Sequence, residues 1–324
     1  MNRYIYFLIG FLGSITLALV PVFVHRLAKN ANNPPTQTIP SKLPSSGEAD
    51  IFLASRKLPI FPVRNWKVPD PDLKAKIALV YDLVRKEILF EKNDINEKRP
   101  IASLTKLVTA LVVLDNTKLD DIFEVSQTAA KTPYSRGKLQ VGEKFTVRSL
   151  LYAMLVESNN AAAQVLAEGV ERKISPENKP ADEPGLFVAL MNKKARSLSL
   201  ANTSFSDPSG LDEKNVSTAM ELMKIMNEFL KHPVLTEITK TPSVDLISVD
   251  GQNRHFESTN KLLGRIPEIA AGKTGYTEEA GNCMILALRL PKEDGMIVTI
   301  VMEAGDRMAE SEILINWTKK AFLW

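Results

Sequence analysis

The sequence predicts an α/β fold of the α+β type. An antiparallel sheet is built from both ends of the domain and flanked by helices, with an all-helical lobe beside it. Strand-like hairpins lie at both ends of the last ~250 residues, a length that suits one large or two closely packed domains. Near the C-terminus, the strand-like runs are Cys283–Leu290 and Met296–Met302. Helical stretches fill the middle, and Ser311–Phe322 predicts a final helix.

The N-terminus differs from the rest of the chain. Ile5–Val24 is a continuous apolar run of roughly 20 residues, long enough to span a bilayer as a helix. A cleaved signal peptide usually has a shorter apolar region and a small-residue cleavage site, and no good site follows this run. Residues 1–25 are therefore predicted to be an uncleaved membrane anchor, with a cleaved signal peptide as the second possibility. The flanking basic residues do not decide the orientation, since Arg3 precedes the run and Arg26 and Lys29 follow it.

Residues 26–72 are rich in proline and small polar residues, which predicts an extended, semi-rigid linker. A chain of ~40 such residues typically reaches roughly 35 Å. Its later half contains the apolar residues Ile60, Phe61 and Trp66, which we expect to pack on the following domain. Residues 73–324 then form the predicted folded domain.

The composition excludes several classes of function. The net charge is +3, with 41 basic against 38 acidic residues, so nothing indicates nucleic-acid binding. Three histidines and one cysteine are too few for a zinc site, and no glycine-rich phosphate loop is present, so we expect no metal and no cofactor. Cys283 is predicted to be a small buried strand residue. Lysine is the natural base for any serine chemistry here.

One Ser-x-x-Lys motif has the setting that nucleophilic chemistry needs. Ser103 and Lys106 lie one helical turn apart at the start of a strongly apolar stretch, which predicts a buried helix. A serine there has an amine to take its proton and a free backbone amide to stabilise an oxyanion. The same motif also occurs at Ser135 and Ser258, in polar stretches where a solvated surface pair is the simpler interpretation.

Two downstream motifs add polar groups to this candidate site. Ser158-Asn159-Asn160 lies between two helical stretches, where its side chains can face a cleft or simply cap a helix. Lys273-Thr274-Gly275 precedes the C-terminal strands, and Gly275 would let a substrate backbone lie close to a strand edge. Standing alone, Lys273 would be an ordinary turn lysine.

In the order Ser-x-x-Lys, Ser-x-Asn and Lys-Thr-Gly, the three motifs resemble those of penicillin-binding proteins and class A β-lactamases. Further segments are similar to the D-alanyl-D-alanine carboxypeptidases, the low-molecular-mass penicillin-binding proteins. They are Ala78–Asn93, which resembles the family's opening hairpin, Phe187–Leu211, Ser217-Thr218-Ala219 and Gly272–Cys283. The resemblance covers about residues 75–324. It implies a β-lactamase/penicillin-binding transpeptidase-like fold and a serine DD-peptidase domain over residues 73–324.

The resemblance implies a serine-type D-Ala-D-Ala carboxypeptidase that removes the terminal D-Ala from peptidoglycan stem peptides. Ser103 would form the acyl-enzyme, Lys106 would take its proton, and Ser158 would relay that proton to the leaving group. For Lys106 to act as a base it must be neutral, and burial and the nearby Lys273 would both lower its pKa. β-Lactams would be covalent inhibitors.

The remaining expected site residues bind substrate. Asn160 would hydrogen-bond the substrate amide, Lys273 and Thr274 would recognise the terminal carboxylate, and the amides of Ser103 and Tyr276 would form the oxyanion hole. Arg254 lies near the place where the family often has a carboxylate-binding arginine.

Two departures from the family pattern stand out. Ala161 follows Ser-x-Asn where an acidic residue is usual, for which we expect a structural consequence. Many members of the family carry an additional β-rich domain and a C-terminal amphipathic helix; we expect neither here, and expect the N-terminal anchor to replace the second. A peptidoglycan enzyme must work outside the cytoplasmic membrane, which gives the orientation of that anchor.

Three other functions compete with the carboxypeptidase. A DD-endopeptidase that cleaves cross-links would use the same site. A class A β-lactamase needs a glutamate that activates water, and Glu183 resembles it superficially, although it is better placed to cap the helix beginning near Phe187. A non-catalytic wall-binding module would need no nucleophile–base pair.

Overall fold

The computed structural model describes residues 62–135, 139–175, 185–290 and 295–324. Within these ranges, the strands are β1 (Val63–Arg64), β2 (Ile77–Asp82), β3 (Glu87–Lys92), β4 (Arg99–Pro100), β5 (Ile122–Glu124), β6 (Lys144–Thr146), β7 (Val216–Ser217), β8 (Ser243–Ile247), β9 (Asn253–Glu257), β10 (Ile269–Thr277), β11 (Gly281–Arg289), β12 (Met296–Ala304) and β13 (Phe322–Leu323). The helices are α1 (Lys106–Asn116), α2 (Gln127–Ala130), α3 (Val147–Val156), α4 (Asn160–Ile174), α5 (Leu186–Ser197), α6 (Ala219–Phe229), α7 (Pro233–Thr239) and α8 (Arg307–Ala321).

The main sheet has five strands in the order β10-β11-β12-β2-β3, and every neighbouring pair is antiparallel. The strand β12, from the end of the chain, pairs with β2, from the start of the domain, and Thr299 lies opposite Val80. The predicted α+β fold, with a sheet assembled from both ends, is therefore confirmed.

Alternation along these strands separates two apolar cores. In β2, Ile77 and Leu79 face the core shared with the helical lobe, while Ala78 and Val80 face the core shared with α8. Side chains of a strand point to opposite faces in turn, so a strand buried on both faces reads as a continuous apolar run. This is why the sequence shows runs here rather than a polar–apolar alternation.

The apolar stretch after Ser103 is the buried helix of the lobe, as predicted. It begins as a 3-10 turn over Ala102–Thr105 and continues as α1, in which every residue from Lys106 to Val113 is buried. Because α1 is packed on all sides, it cannot shift without displacing its neighbours. It is therefore a rigid support for the side chains of its first turn.

The starts of α6 and α5 are each held by a side-chain acceptor. Thr218 caps α6, because its hydroxyl accepts a hydrogen bond from the Glu221 amide at 3.1 Å. Glu221, however, does not reach back to complete a capping box, and its carboxylate accepts from the Asn202 amide and the Thr203 hydroxyl instead. Glu183, expected to cap α5, lies outside the described residues, and the Phe187 amide at that helix start donates to Glu171 at 2.7 Å.

The two ends of the described chain pack together. β1 pairs with β13, and the guanidinium of Arg64 lies 4.9 Å from the ring centre of Trp317. The Trp317 indole donates to the Pro69 carbonyl at 2.8 Å, so the last part of the predicted linker contacts the domain. The expectation that Trp66 packs is wrong, since it is 85% exposed.

The remaining expectations for the N-terminal part concern residues outside the described ranges. These are the packing of Ile60 and Phe61 and the anchor over residues 1–25. Within residues 62–324, apart from the gaps named above, no helix has the length and apolarity needed to cross a bilayer.

Candidate active site

The local backbone places Ser103 at the floor of a cleft. It lies on the 3-10 turn that leads into α1, directly after Ala102, whose φ of 46° is in the left-handed region. This conformation costs free energy for a residue with a side chain and is found preferentially at functional sites. The Ser103 hydroxyl lies 2.9 Å from the Lys106 amine, so the predicted pair is in hydrogen-bonding contact.

Lys106 is fully buried beneath this serine. Its amine also donates to the Asn160 side-chain oxygen at 2.7 Å and to the Ser209 carbonyl at 2.6 Å. Burial lowers the pKa of Lys106 from 10.5 to about 7, and the negative charge of Asp207 opposes that shift. A substantial fraction of the amine is therefore neutral near pH 7 and able to accept the Ser103 proton.

Ser158 and Lys273 form a second hydroxyl–amine pair. Ser158 has a φ of 65°, and the Lys273 amine donates to its hydroxyl at 2.8 Å and to the Thr274 carbonyl at 2.9 Å. Burial lowers the pKa of Lys273 well below its ordinary value, and the positive charges of Lys106 and Arg307 lower it further. A negative charge on a ligand beside Lys273 would favour the ammonium form of this lysine.

The turn that carries Asn160 is held by the segment that contains Ser135. The amide of Ala161 donates to the Ser135 hydroxyl at 2.9 Å, and the Asn160 side-chain nitrogen donates to the Pro133 carbonyl at 2.9 Å. The replacement of an acidic residue by Ala161 thus leaves this turn anchored through its backbone. Ser135 lines the cleft, and its motif partner Lys138 lies outside the described residues, so the interpretation of the two as a solvated surface pair stays a prediction.

Asn159 and Ser258 have structural roles, which their hydrogen bonds show. The Asn159 side chain caps α4 by accepting from the Ala162 amide at 2.9 Å, so one residue of the Ser-Asn-Asn motif has the capping role. The hydroxyl of Ser258 accepts from the Asn260 amide at 3.1 Å and is buried. Ser258 therefore holds its own turn, and the interpretation of this serine as a solvated surface residue is wrong.

The cleft above Ser103 has a volume of about 920 Å³. Besides Ser103, the predicted site residues that line it are Ser158, Asn160, Thr274, Gly275 and Tyr276. Gly275 allows β10 to approach the nucleophile, since a Cβ there would lie 3.0 Å from the Ile101 carbonyl and 3.3 Å from the Ser103 amide. The edge of β10 and the 3-10 turn Ala102–Thr105, which we call the catalytic turn, thus form the two walls of one narrow site.

Arg254 is not among the residues that line this cleft. It lies on β9 and forms an ion pair with Glu143. The structure brings a different arginine, Arg307, to the cleft, where its guanidinium donates to the Gly275 carbonyl at 3.1 Å and to the Asn282 side chain at 2.9 Å. The sequence carries no motif at Arg307, and only the register of β11 against β12 brings the start of α8 to this place.

Thr259 is a second cleft residue that no sequence motif marks. Its hydroxyl lies 2.7 Å from the hydroxyl of Thr274, and one of the two donates to the other. Within the described residues, no group of three or more His, Cys, Asp or Glu side chains is arranged to hold a metal ion. The polar groups that line the cleft are hydroxyls, two side-chain amides, a guanidinium and three carboxylates, and the guanidinium is the group among them that suits a carboxylate ligand.

Known proteins are similar to this chain in sequence and in fold. A family model for D-alanyl-D-alanine carboxypeptidase matches residues 65–306. A D-alanyl-D-alanine endopeptidase of Pseudomonas aeruginosa is 32% identical over 235 residues, which make up 71% of this chain and 72% of the relative. D-alanyl-D-alanine carboxypeptidase DacF of Bacillus subtilis is 33% identical over 217 residues, 65% of this chain and 53% of the relative.

Solved structures agree with these relatives. The Streptomyces K15 DD-transpeptidase matches with a TM-score of 0.69 and 25% identity, over 78% of this chain and 100% of that one. A D-alanyl-D-alanine carboxypeptidase of Mycobacterium tuberculosis matches with a TM-score of 0.68 and 28% identity, over 79% and 95% of the two chains. Since the family model spans most of the described residues and includes the Ser103–Lys106 pair, the chain belongs to the D-alanyl-D-alanine carboxypeptidase family of serine-type peptidases.

Proposed function

We propose that this protein removes the terminal D-Ala from peptidoglycan stem peptides through an acyl-enzyme on Ser103. The observation that carries the proposal is the 2.9 Å contact between the Ser103 hydroxyl and the Lys106 amine. Lys106 is fully buried, with a pKa of about 7, as a base for serine requires.

The reaction follows from the roles these groups can take. Neutral Lys106 accepts the Ser103 proton while the serine oxygen attacks the carbonyl carbon of the penultimate D-Ala. The backbone amides of Ser103 and Tyr276 stabilise the oxyanion, where one such donor typically contributes about 3 kcal/mol. The proton that Lys106 took from Ser103 passes through Ser158 to the nitrogen of the terminal D-Ala as the C–N bond breaks. Water then hydrolyses the ester, which releases the shortened peptide as its carboxylate and returns a proton to Ser103.

Recognition of the terminal carboxylate is assigned to Lys273, Thr274 and Arg307. Lys273 is buried, where water screens a charge little, and Arg307 lines the cleft beside it. A carboxylate beside Lys273 would reverse part of the pKa lowering by supplying the opposite charge. Asn160 would hydrogen-bond the substrate amide, and β-lactams would acylate Ser103 as covalent inhibitors.

A DD-endopeptidase that cleaves peptidoglycan cross-links is the second candidate. It is supported by relatives that carry that name in Pseudomonas aeruginosa, Escherichia coli and Haemophilus influenzae, with 31–33% identity to this chain. The chemistry at Ser103 is the same for both activities. The difference lies in whether the leaving group is free D-Ala or a second stem peptide.

The two activities are separated by incubating the enzyme with a pentapeptide ending in D-Ala-D-Ala and, separately, with a cross-linked dimer. The proposal predicts faster release of free D-Ala from the pentapeptide, and no product from either substrate with Ser103→Ala. Faster cleavage of the dimer would establish the endopeptidase instead. Product formation by Ser103→Ala would refute the assigned nucleophile.

A fluorescent penicillin distinguishes a penicillin-binding protein from a β-lactamase and from a non-catalytic binder. One equivalent of stable label on Ser103 is expected for a penicillin-binding protein, and Ser258→Ala is expected to retain the label. Rapid turnover of the penicillin would indicate a β-lactamase, and no labelling would indicate a non-catalytic binder. If the stability of Ser103→Ala lies within about 1 kcal/mol of the parent, its loss of labelling comes from the missing nucleophile and not from unfolding.

We further propose that residues 5–24 anchor the protein in the cytoplasmic membrane, with the catalytic domain on its outer side. The length and apolarity of this run support the proposal, as does the location of peptidoglycan. N-terminal sequencing of membrane-extracted protein should find the run intact. A mature chain beginning near residue 30 would show that the run is a cleaved signal peptide.

A further inference from the structure

A single carboxylate, that of Asp207, organises the loop of residues 207–212. One of its oxygens accepts hydrogen bonds from the Ser209 amide and hydroxyl, both at 2.6 Å, and from the Gly210 amide at 2.8 Å. The other accepts from the Asp212 amide at 2.7 Å and from the Asn215 side chain at 2.6 Å. These contacts fold the loop around Asp207, which is not itself among the residues lining the cleft.

This loop is pressed against the catalytic turn. The Ser209 carbonyl accepts from the Lys106 amine at 2.6 Å, and the Pro208 carbonyl accepts from the Thr109 hydroxyl on α1 at 2.6 Å. A Cβ on Gly210 would lie only 2.0 Å from the Ala102 carbonyl, so there is no room for a side chain between the two backbones. The position of the Ser209 carbonyl therefore depends on how the loop is folded.

The charge of Asp207 also acts on Lys106. Burial raises the pKa of the Asp207 carboxyl, but the hydrogen bonds from Ser209, Asp212 and Gly210 outweigh burial, and the pKa lies below its ordinary value. Asp207 is therefore negative at neutral pH. This negative charge favours the ammonium form of Lys106 and opposes the effect of burial.

Other charged groups surround the same site. Lys273 on β10 and Arg307 at the start of α8 are positive, and three carboxylates, those of Glu157, Glu278 and Glu279, line the cleft. Asp207 opposes the effect of burial on the pKa of Lys106, whereas the positive charges of Lys106 and Lys273 disfavour each other.

We propose that Asp207 is a positioning residue for acyl transfer: its carboxylate folds the loop that holds the Ser209 carbonyl on Lys106, and its charge acts on the Lys106 amine. This inference rests on the proposed function, because it requires Lys106 to be the base for Ser103. Asp207 would then have two effects on Lys106. Its loop holds the amine in place, and its charge limits the fraction of the amine that is neutral and able to accept a proton.

The test is the second-order rate constant for acylation by a fluorescent penicillin, measured against pH with the full-length protein. In the parent, the rate should rise with pH through a midpoint near the Lys106 pKa of about 7. Asp207→Asn removes the charge that favours the ammonium form, so the midpoint should move to lower pH by roughly 0.5 to 1 unit. The plateau rate should also fall about tenfold, because Lys106 is held less well.

Two further variants complete the experiment. Glu213→Gln removes an exposed negative charge from the adjoining turn and should leave midpoint and plateau as in the parent. Asp207→Glu keeps the charge but displaces it by one methylene, so the plateau should fall about tenfold while the midpoint stays. It also tests the positioning role if Asp207→Asn does not fold.

An unchanged or higher midpoint in folded Asp207→Asn would overturn the electrostatic effect, and a parental plateau in Asp207→Glu would overturn the positioning role. A parent protein that is never acylated, at any pH, would refute the proposed function itself, and the inference with it.

Discussion

We assign different tasks to the two buried lysines of the site, and the difference can be tested residue by residue. Lys106 must lose its proton to activate Ser103, whereas Lys273 is assigned to recognise a carboxylate. Arginine stays protonated in proteins, so Lys106→Arg should reduce acylation nearly as much as Lys106→Ala. A guanidinium still attracts a carboxylate, so Lys273→Arg should retain more acylation than Lys273→Ala.

Second-order acylation rates of these four variants decide the assignment. The losses at Lys106 should appear in the acylation step itself, and those at Lys273 mostly in kcat/KM for the peptide substrate. If Lys106→Arg were as active as the parent, Lys106 would be a structural cation and the base would lie elsewhere.

At the scale of one element, the loop of residues 207–212 depends on Gly210. This glycine has a φ of +84° and no room for a Cβ, whereas Gly251, with a φ of +83°, has no atom within 4 Å of that position. Both substitutions to alanine incur the cost of a left-handed backbone, about 1 kcal/mol. Gly210→Ala must in addition displace Ala102, so this substitution should lower the free energy of unfolding by more than about 3 kcal/mol.

Denaturant unfolding and penicillin labelling of the two variants test this pair. Gly251→Ala should keep the labelling rate of the parent, because its turn lies between β8 and β9. Gly210→Ala should lose most of its labelling under conditions where it is folded. Equal stability of the two variants would show that the loop moves away from Ala102 without cost.

At the scale of the whole molecule, Arg64 joins the two ends of the described chain. Its guanidinium lies 4.9 Å and 5.6 Å from the ring centres of Trp317 and Phe322, and it donates to the Val68 carbonyl at 2.8 Å. Arg64→Ala should lower the free energy of unfolding by about 1–2 kcal/mol through lost stacking and hydrogen bonding. The acylation rate should not change, because the contact is at the end of α8 opposite Arg307.

The exposed Lys67 is the matched control. Lys67→Ala should change the free energy of unfolding by less than about 0.5 kcal/mol. Comparable losses for Lys67→Ala and Arg64→Ala in denaturant unfolding would show that the stacked arginine adds nothing specific.

Features that depend on local pattern could be predicted from the amino-acid sequence alone. The spacing of Ser103 and Lys106, placed at the start of an apolar helix, predicts two side chains on one face, and the structure has them 2.9 Å apart. Continuous apolar runs likewise predicted the strands β11 and β12. Both predictions succeed because periodicity and burial are encoded within a few neighbouring residues.

The distant residues that complete the site could not be predicted in this way, because they are brought together by the packing of whole elements. Arg307 rather than Arg254 reaches the cleft because the register of β11 on β12 sets where α8 begins. Asp207 acts on Lys106 because a loop about 100 residues downstream packs against the catalytic turn, a contact for which no spacing rule exists. Long-range contacts depend on how whole elements pack, and a single sequence carries no local record of that packing.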